Sequence, residues 1–149
     1  MKKTIFLLVL VFLTTFSFGQ FSRKFDKFEN ETICSYQTPN IYFTKYIKPG
    51  DTTYQTCFTL YDTYLTLDAS DAILLFSDGT KMELEGKVDF DYSSSGKYSY
   101  SFYSYDYEVM EKLSTTLLVG FKLHIFEKNI LPQNRNLIKM AANKILLAK

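Results

Sequence analysis

His124 is the single histidine among the 149 residues. Any Ser–His–Asp or Cys–His arrangement must therefore run through it, because a hydroxyl or thiol nucleophile needs a neighbouring base. The stretch Lys122-Leu123-His124-Ile125 reads as strand and holds no nucleophile motif. An exposed strand histidine on the face of Lys122 is expected, and no catalytic residue is assigned. Zinc asks for about four ligands, usually Cys and His. His124 with Cys34 and Cys57 falls short of such a set, so no metal site is expected. There is no Walker loop and no G-x-G-x-x-G, and the six glycines are scattered. No cofactor is expected.

Carboxylates are the remaining source of chemistry. Asp89 and Asp91 share one strand face, and Glu83 and Glu85 another. Paired carboxylates can hydrolyse a glycosidic bond when a cleft holds one of them protonated. That keeps a small carboxylate-dependent hydrolase as the alternative function. Their alternation with apolar residues fits the solvated face of a sheet better. Asp62, Asp68 and Asp71 lack the spacing and the glycine of a calcium-binding EF-hand loop. They read as turn residues.

The unusual stretch is aromatic. Tyr92, Tyr98, Tyr100, Tyr103, Tyr105 and Tyr107 crowd into one short segment. Tyr98, Tyr100 and Phe102 alternate with serines and are expected to face the core. Tyr103, Tyr105 and Tyr107 have the opposite parity, and successive side chains of a strand point to opposite faces. Either a bulge near Phe102-Tyr103 or an exit from the sheet must follow. The odd-numbered set then forms a candidate binding patch, since tyrosines offer apolar area with a polar handle at low entropic cost. Burial beneath a C-terminal helix is the competing expectation.

The elements that must position these residues are mostly strands. Residues 20–32 read as a loose leader or short helix. Ile41, Phe43 and Ile47 share a parity, and Pro49-Gly50-Asp51 breaks the chain. Tyr54, Thr56, Phe58 and Leu60 alternate with Gln55, Cys57 and Thr59. Asp78-Gly79 predicts a two-residue type I′ hairpin. That turn sets Leu75 opposite Met82 and Ile73 opposite Leu84 on an apolar core face. Val88, Phe90 and Tyr92 form the next run, with a turn over Ser93 to Gly96. Asp106 to Leu113 predicts a short helix capped by Asp106. Leu117 to Ile125 predicts one strand, ended by the Pro132 region. Asn134 to Lys149 predicts an amphipathic helix with Leu137, Ile138, Ala141, Ile145 and Ala148 on one side.

The N-terminus carries an address. Lys2 and Lys3 precede the apolar run Ile5 to Leu13, and Ser17 and Gly19 are small residues before Gln20. This is the pattern of a cleavable secretory signal over residues 1–19. The run is too short for a bilayer span, which needs about 20 apolar residues. The remainder, residues 20–149, reads as a single β-rich exported domain without a membrane span. Its compartment is periplasmic, cell-surface or secreted. Disulfides persist there, so a bridge between Cys34 and Cys57 in neighbouring strands is expected, with two buried unpaired thiols as the alternative. The chain has 17 basic and 16 acidic residues, which leaves no nucleic-acid footprint. Charge is nevertheless uneven. Asp51 to Glu111 holds 12 acidic and three basic residues, whereas Lys112 to Lys149 holds seven basic and one acidic. The expectation is that the two segments lie together and partly cancel, with a one-signed binding surface as the alternative.

ILLFSDGTKMELEGKVDFDY, the aromatic strand, DYEVMEKL, LLVGFKLHIF and the basic C-terminal helix together resemble small exported proteins of unknown function common in Bacteroidota. The resemblance runs from about Tyr54 to Lys149 and extends to the export signal ending FSFGQ. It implies export and a β-rich fold, and brings no site residues. The fold expected is mainly β: an antiparallel β-sandwich or strongly curved sheet, with a short helix before the last strand and a C-terminal helix. The function expected is a non-enzymatic module that binds a protein or glycan in the envelope or outside the cell.

Overall fold

In the computed structural model, which describes residues 19–92 and 96–149, the alternating segments form nine strands. They are β1 (Gln20–Asp26), β2 (Glu31–Gln37), β3 (Ile41–Lys48), β4 (Asp51–Asp62), β5 (Ser70–Phe76), β6 (Lys81–Tyr92), β7 (Tyr98–Ser104), β8 (Leu118–Leu123) and β9 (Phe126–Asn129). Helix α1 (Tyr107–Thr115) lies between β7 and β8, and α2 (Pro132–Leu147) follows β9. The strands make one antiparallel sheet in the order β1-β2-β3-β4-β7-β6-β5-β8-β9. The chain is thus mainly β, with the short helix and the C-terminal helix where the sequence predicts them. The expected signal segment, apart from Gly19, and most of the Ser93–Gly96 turn fall outside the described residues.

The long strand β6 lets the sheet fold over on itself. Its first half pairs with β5 and its second, Val88 to Tyr92, with β7. Between them β5 carries an irregularity at Asp71, which takes φ of 65°. Gly86 sits at the bend with the Phe102 ring only 3.0 Å from where a Cβ would be. A glycine there lets two backbones approach where a side chain would not fit. The two halves then face each other. Phe58 meets Phe121 at 5.5 Å between ring centroids, and Tyr100 meets Phe126 at 4.5 Å. Ile41, Phe43, Leu74 and Phe102 fill the same core. Each such side chain, fully buried, contributes roughly 1.5–3 kcal/mol.

The helices cover the remaining inner face. Asp106 caps α1 by accepting from the Glu108 amide at 2.9 Å. Val109, Met110 and Leu113 point inward. Pro132 opens α2 rather than merely ending the strand region, which suits a residue without an amide hydrogen in the first turn. Ile138, Ala141, Ala142 and Ile145 form its buried stripe. Buried Lys45 donates from Nζ to the carbonyls of Leu146 at 2.9 Å and Ala148 at 2.8 Å. A cation there satisfies carbonyls that the helix end leaves unpaired and suits its negative pole.

Four local expectations are corrected. Residues 20–26 are strand β1, not a loose leader, because the alternating row pairs along all of β2. The Asp78-Gly79 hairpin has a three-residue loop. Phe76 and Thr80 close it, Gly79 takes φ of 82°, and Leu74 rather than Leu75 faces Met82. A one-residue slip exchanges the two faces, so Ala72, Leu74 and Phe76 are buried while Leu75 is exposed. Leu117 to Ile125 is not one strand. It ends at Leu123, and His124 turns the chain into β9 with φ of 54°. Finally, no Cys34–Cys57 bridge exists, and both are buried free thiols. Cys34 on β2 faces Lys45 of β3, while Cys57 on β4 faces Tyr42 of the same β3. A whole strand separates them and they are offset by three residues along it, so they are more than two strand spacings of roughly 4.8 Å apart, beyond the reach of a disulfide. Cys34 also points into the core and Cys57 away from it.

Candidate functional site

The most developed surface is the outer face of β3, β4 and β7, which the core does not use. Ile41, Phe43 and Ile47 point inward, so Tyr42, Thr44 and Tyr46 must point outward. The same logic sends Gln55, Cys57 and Thr59 outward from β4, and Ser99, Ser101 and Tyr103 from β7. The register then sets Tyr42, Cys57 and Tyr103 in one row across three strands. The neighbouring row sets Thr44 beside Gln55.

Hydrogen bonds tie these rows together. The Tyr46 hydroxyl donates to Gln55 Oε1 at 3.3 Å. Gln55 Nε2 in turn donates to the Tyr105 hydroxyl at 2.9 Å. One amide thus holds two tyrosines, one from β3 and one from the connection leading to α1. Cys57 is buried between Tyr42 and Tyr103, with Sγ 3.6 Å from Thr59 Oγ1. Tyr42, Tyr103 and Tyr105 expose 41, 43 and 61 % of their surface. The Cys57 thiol beside it, then burial, push the Tyr103 hydroxyl above its ordinary pKa. Burial first, then the nearby Tyr105 and Tyr42 hydroxyls, raise that of Tyr46. Both stay protonated at neutral pH and present neutral hydroxyl groups to a partner.

The expected patch of Tyr103, Tyr105 and Tyr107 is divided by the structure. Strand β7 runs through Phe102-Tyr103 to Ser104 in regular register with β4, without a bulge. Tyr103 and Tyr105 lie together on the outer face. Tyr107 is the first residue of α1 and packs edge-on against Tyr54, 5.3 Å between centroids, on the other side of the sheet. Tyr54 belongs to the inward row of β4. Tyr42, Tyr46 and Gln55 complete the cluster instead. The parity of Tyr42 and Tyr46 was visible in the sequence. The pairing of β4 with β7, more than 40 residues on, was not.

The other chemical candidates are placed as follows. His124 occupies the β8–β9 turn, not a strand face, and its amide donates to the Asp71 carbonyl at 3.0 Å. Asp89 and Asp91 stand on the outer face opposite Ser101 and Ser99, exposed, with Asp89 paired to Lys87 at 3.4 Å. Asp62 accepts from the Tyr64 amide at 3.0 Å, and Asp71 from Gly86 at 3.4 Å. Among the described residues, no cluster of three His, Cys, Asp or Glu side chains is placed to hold a metal ion. No helix of the described residues is long and apolar enough to cross a membrane. Comparison with protein-family models, with curated proteins and with solved structures finds no match to this chain.

Proposed function

We propose that this chain is an exported, non-enzymatic binding module, and that the outer face carrying Tyr42, Tyr46, Tyr103 and Tyr105 is where it meets a protein or glycan. The carrying observation is the Gln55 amide joining the Tyr46 and Tyr105 hydroxyls across two elements. A face whose side chains are already ordered loses less entropy on binding. It mixes ring area with amide and hydroxyl groups and holds no charged side chain in its two central rows. Such a mixture suits sugar rings and polar protein surfaces alike.

Export fits the start of β1 at Gln20, where the N-terminal signal pattern ends. The intact mass of the protein recovered outside the cytoplasm tests this part. A chain starting at Gln20 is expected, and a soluble chain retaining Met1 contradicts it. The binding part is tested by presenting the wild type and a Tyr103→Ala/Tyr105→Ala variant to a glycan array and to envelope extract. The variant is expected to lose at least about tenfold in affinity, equivalent to 1.4 kcal/mol. Its melting temperature should fall by only a few degrees, as for surface changes. Equal binding by both proteins contradicts the reading.

A further inference from the structure

Away from the tyrosine face, two surfaces of this chain are both apolar at the centre and carry charges of opposite sign. The first lies where β4 ends and β5 begins. The Tyr100 hydroxyl donates to the Tyr64 carbonyl at 2.6 Å and accepts from the Thr66 amide at 3.0 Å, which fixes the connection between the strands. That connection holds Tyr64, Leu65 and Leu67 out in solvent, exposed by 74, 46 and 65 %. Asp62 and Asp68 flank them, and neither forms an ion pair among the described residues. Aliphatic side chains held out on an anchored loop are an unpaid apolar exposure that normally marks a contact.

The second surface is a groove on the outer face of β5, β8 and β9. Register places Gly120 between Leu75 and Asn129, so the sheet face has a gap there. The result is an open groove of about 260 Å³ with Ile73 and Leu75 among its lining and Lys81, Lys122 and Lys128 around it. Sites that enclose whole small ligands run to roughly 300–1,000 Å³. This one is closer to the scale of an inserted side chain. Glu127 is the one acidic residue in its lining. An aliphatic floor ringed by lysines fits an aliphatic side chain flanked by carboxylates, which is what the Leu65–Leu67 loop offers.

The loop cannot fill the groove of its own molecule. Leu67 precedes β5 by three residues and its loop is tied to Tyr100, while the groove is lined by Ile73 and Leu75, farther along β5. The charge asymmetry of the chain agrees with an intermolecular fit. Of the ion pairs among the described residues, only Lys112–Asp78 joins the acidic segment to the basic one. The two segments do lie together, β8 pairing along β5, but that single bridge leaves the aspartates of the loop and the lysines of the groove without direct partners among the described residues.

We propose that the occupant is a second copy of this chain: the Leu65–Leu67 loop of one molecule seats in the Leu75–Gly120 groove of the next. Loop and groove are different surfaces, so the contact is heterologous and builds head-to-tail chains or rings rather than a twofold dimer. Aspartates meeting lysines at the rim make the association weaken as salt screens them.

Sedimentation equilibrium tests this on the full chain and on the chain beginning at Gln20, so that association through the apolar N-terminus is read separately. The mass of the shorter chain is expected to grow with concentration up to about 1 mM, the scale of a weak contact, and to fall with added salt. Leu67→Asp in the loop and Leu75→Glu in the groove should each leave a folded monomer, checked by circular dichroism. Mixed together, the two variants should form a one-to-one complex, because the pair retains one intact loop and one intact groove. A wild type that stays monomeric, an association indifferent to both substitutions, or a mixture that remains monomeric would overturn the proposal. A glycine-to-serine change is avoided at position 120, where a Cβ would lie 3.0 Å from the Lys128 carbonyl.

Discussion

The outer face around Tyr103 and the loop around Leu67 both hold large side chains in water, yet they are built differently. On the tyrosine face, strand register sets the rows and Gln55 ties neighbouring hydroxyls together. Two of the rings there, those of Tyr46 and Tyr105, have their hydroxyls already engaged. At the loop, one buried hydroxyl, that of Tyr100, fixes the backbone, and the side chains themselves have no polar ends except Tyr64. Exposure by itself therefore does not define a site. What distinguishes the two is whether the exposed groups are held by one another or only by the chain beneath them.

The largest effect should come from removing the Tyr100 hydroxyl, which holds the loop at two backbone groups. Tyr100→Phe leaves the Tyr64 carbonyl and the Thr66 amide without their partner. An unsatisfied buried group costs about 1–3 kcal/mol. Thermal unfolding should register that loss, and amide exchange should rise at residues 64–67 while the tyrosine face keeps its protection. Unchanged exchange in the loop would mean that something other than Tyr100 holds it.

A smaller effect is expected at the other site. Gln55→Ala removes the link between Tyr46 and Tyr105, each bond being worth about 0.5–1.5 kcal/mol at most and less at a solvated surface. Stability should barely move, but partner affinity should fall because both rings lose their fixed positions. Affinity equal to wild type would show that the amide bridge is incidental.

Alkaline titration sharpens the comparison further. Tyr46 and Tyr103 have raised hydroxyl pKa values, from burial and from neighbouring Cys57 respectively. Their contribution to stability is present below the ordinary tyrosine value of about 10 and is lost as pH rises through the raised folded values. Tyrosinate absorbance should thus show a late-ionising class, and Cys57→Ala should advance part of it. A single ionisation step for all tyrosines would contradict the packing of Tyr103 on Cys57.

The smallest effect concerns acid. Asp78 accepts from Lys112 Nζ at 2.8 Å and from Thr80, which hold its carboxyl well below the usual range. With a depressed folded value, its contribution is present above the unfolded pKa of about 3.9 and is lost as pH falls below it. Both side chains remain partly open to solvent, which keeps this small. Melting temperature followed from pH 5 downward should show a slight excess loss in wild type relative to Asp78→Asn. Parallel curves would show that the pair contributes nothing.

These differences also explain what the sequence made legible. Parity along β4 and β7 identified the inward rows of Phe58, Leu60, Tyr100 and Phe102, because alternation is a local property. Asp106 as a cap and the stripe Ile138, Ala141, Ile145 were local in the same way. The Asp78-Gly79 hairpin was visible but its loop length was not, since Asp-Gly serves both two-residue and three-residue turns. His124 concealed the β8–β9 turn, because left-handed backbone at a histidine is uncommon. The site depended on pairing between distant strands. Tyr103 and Tyr105 were legible only as part of the trio with Tyr107, which instead starts α1, and Tyr42, Tyr46 and Gln55 join them only once β3, β4 and β7 lie side by side. The same topology, with β3 placed between β2 and β4, separates Cys34 from Cys57.

The most direct test compares the two regions in one experiment. Wild type, Tyr103→Ala/Tyr105→Ala and Leu67→Asp are immobilised side by side and offered the same envelope extract and glycan array, with folding checked for each. The tyrosine variant is expected to lose the bound partner while Leu67→Asp keeps it. Retention by the tyrosine variant, with loss in Leu67→Asp, would contradict the placement of the binding surface.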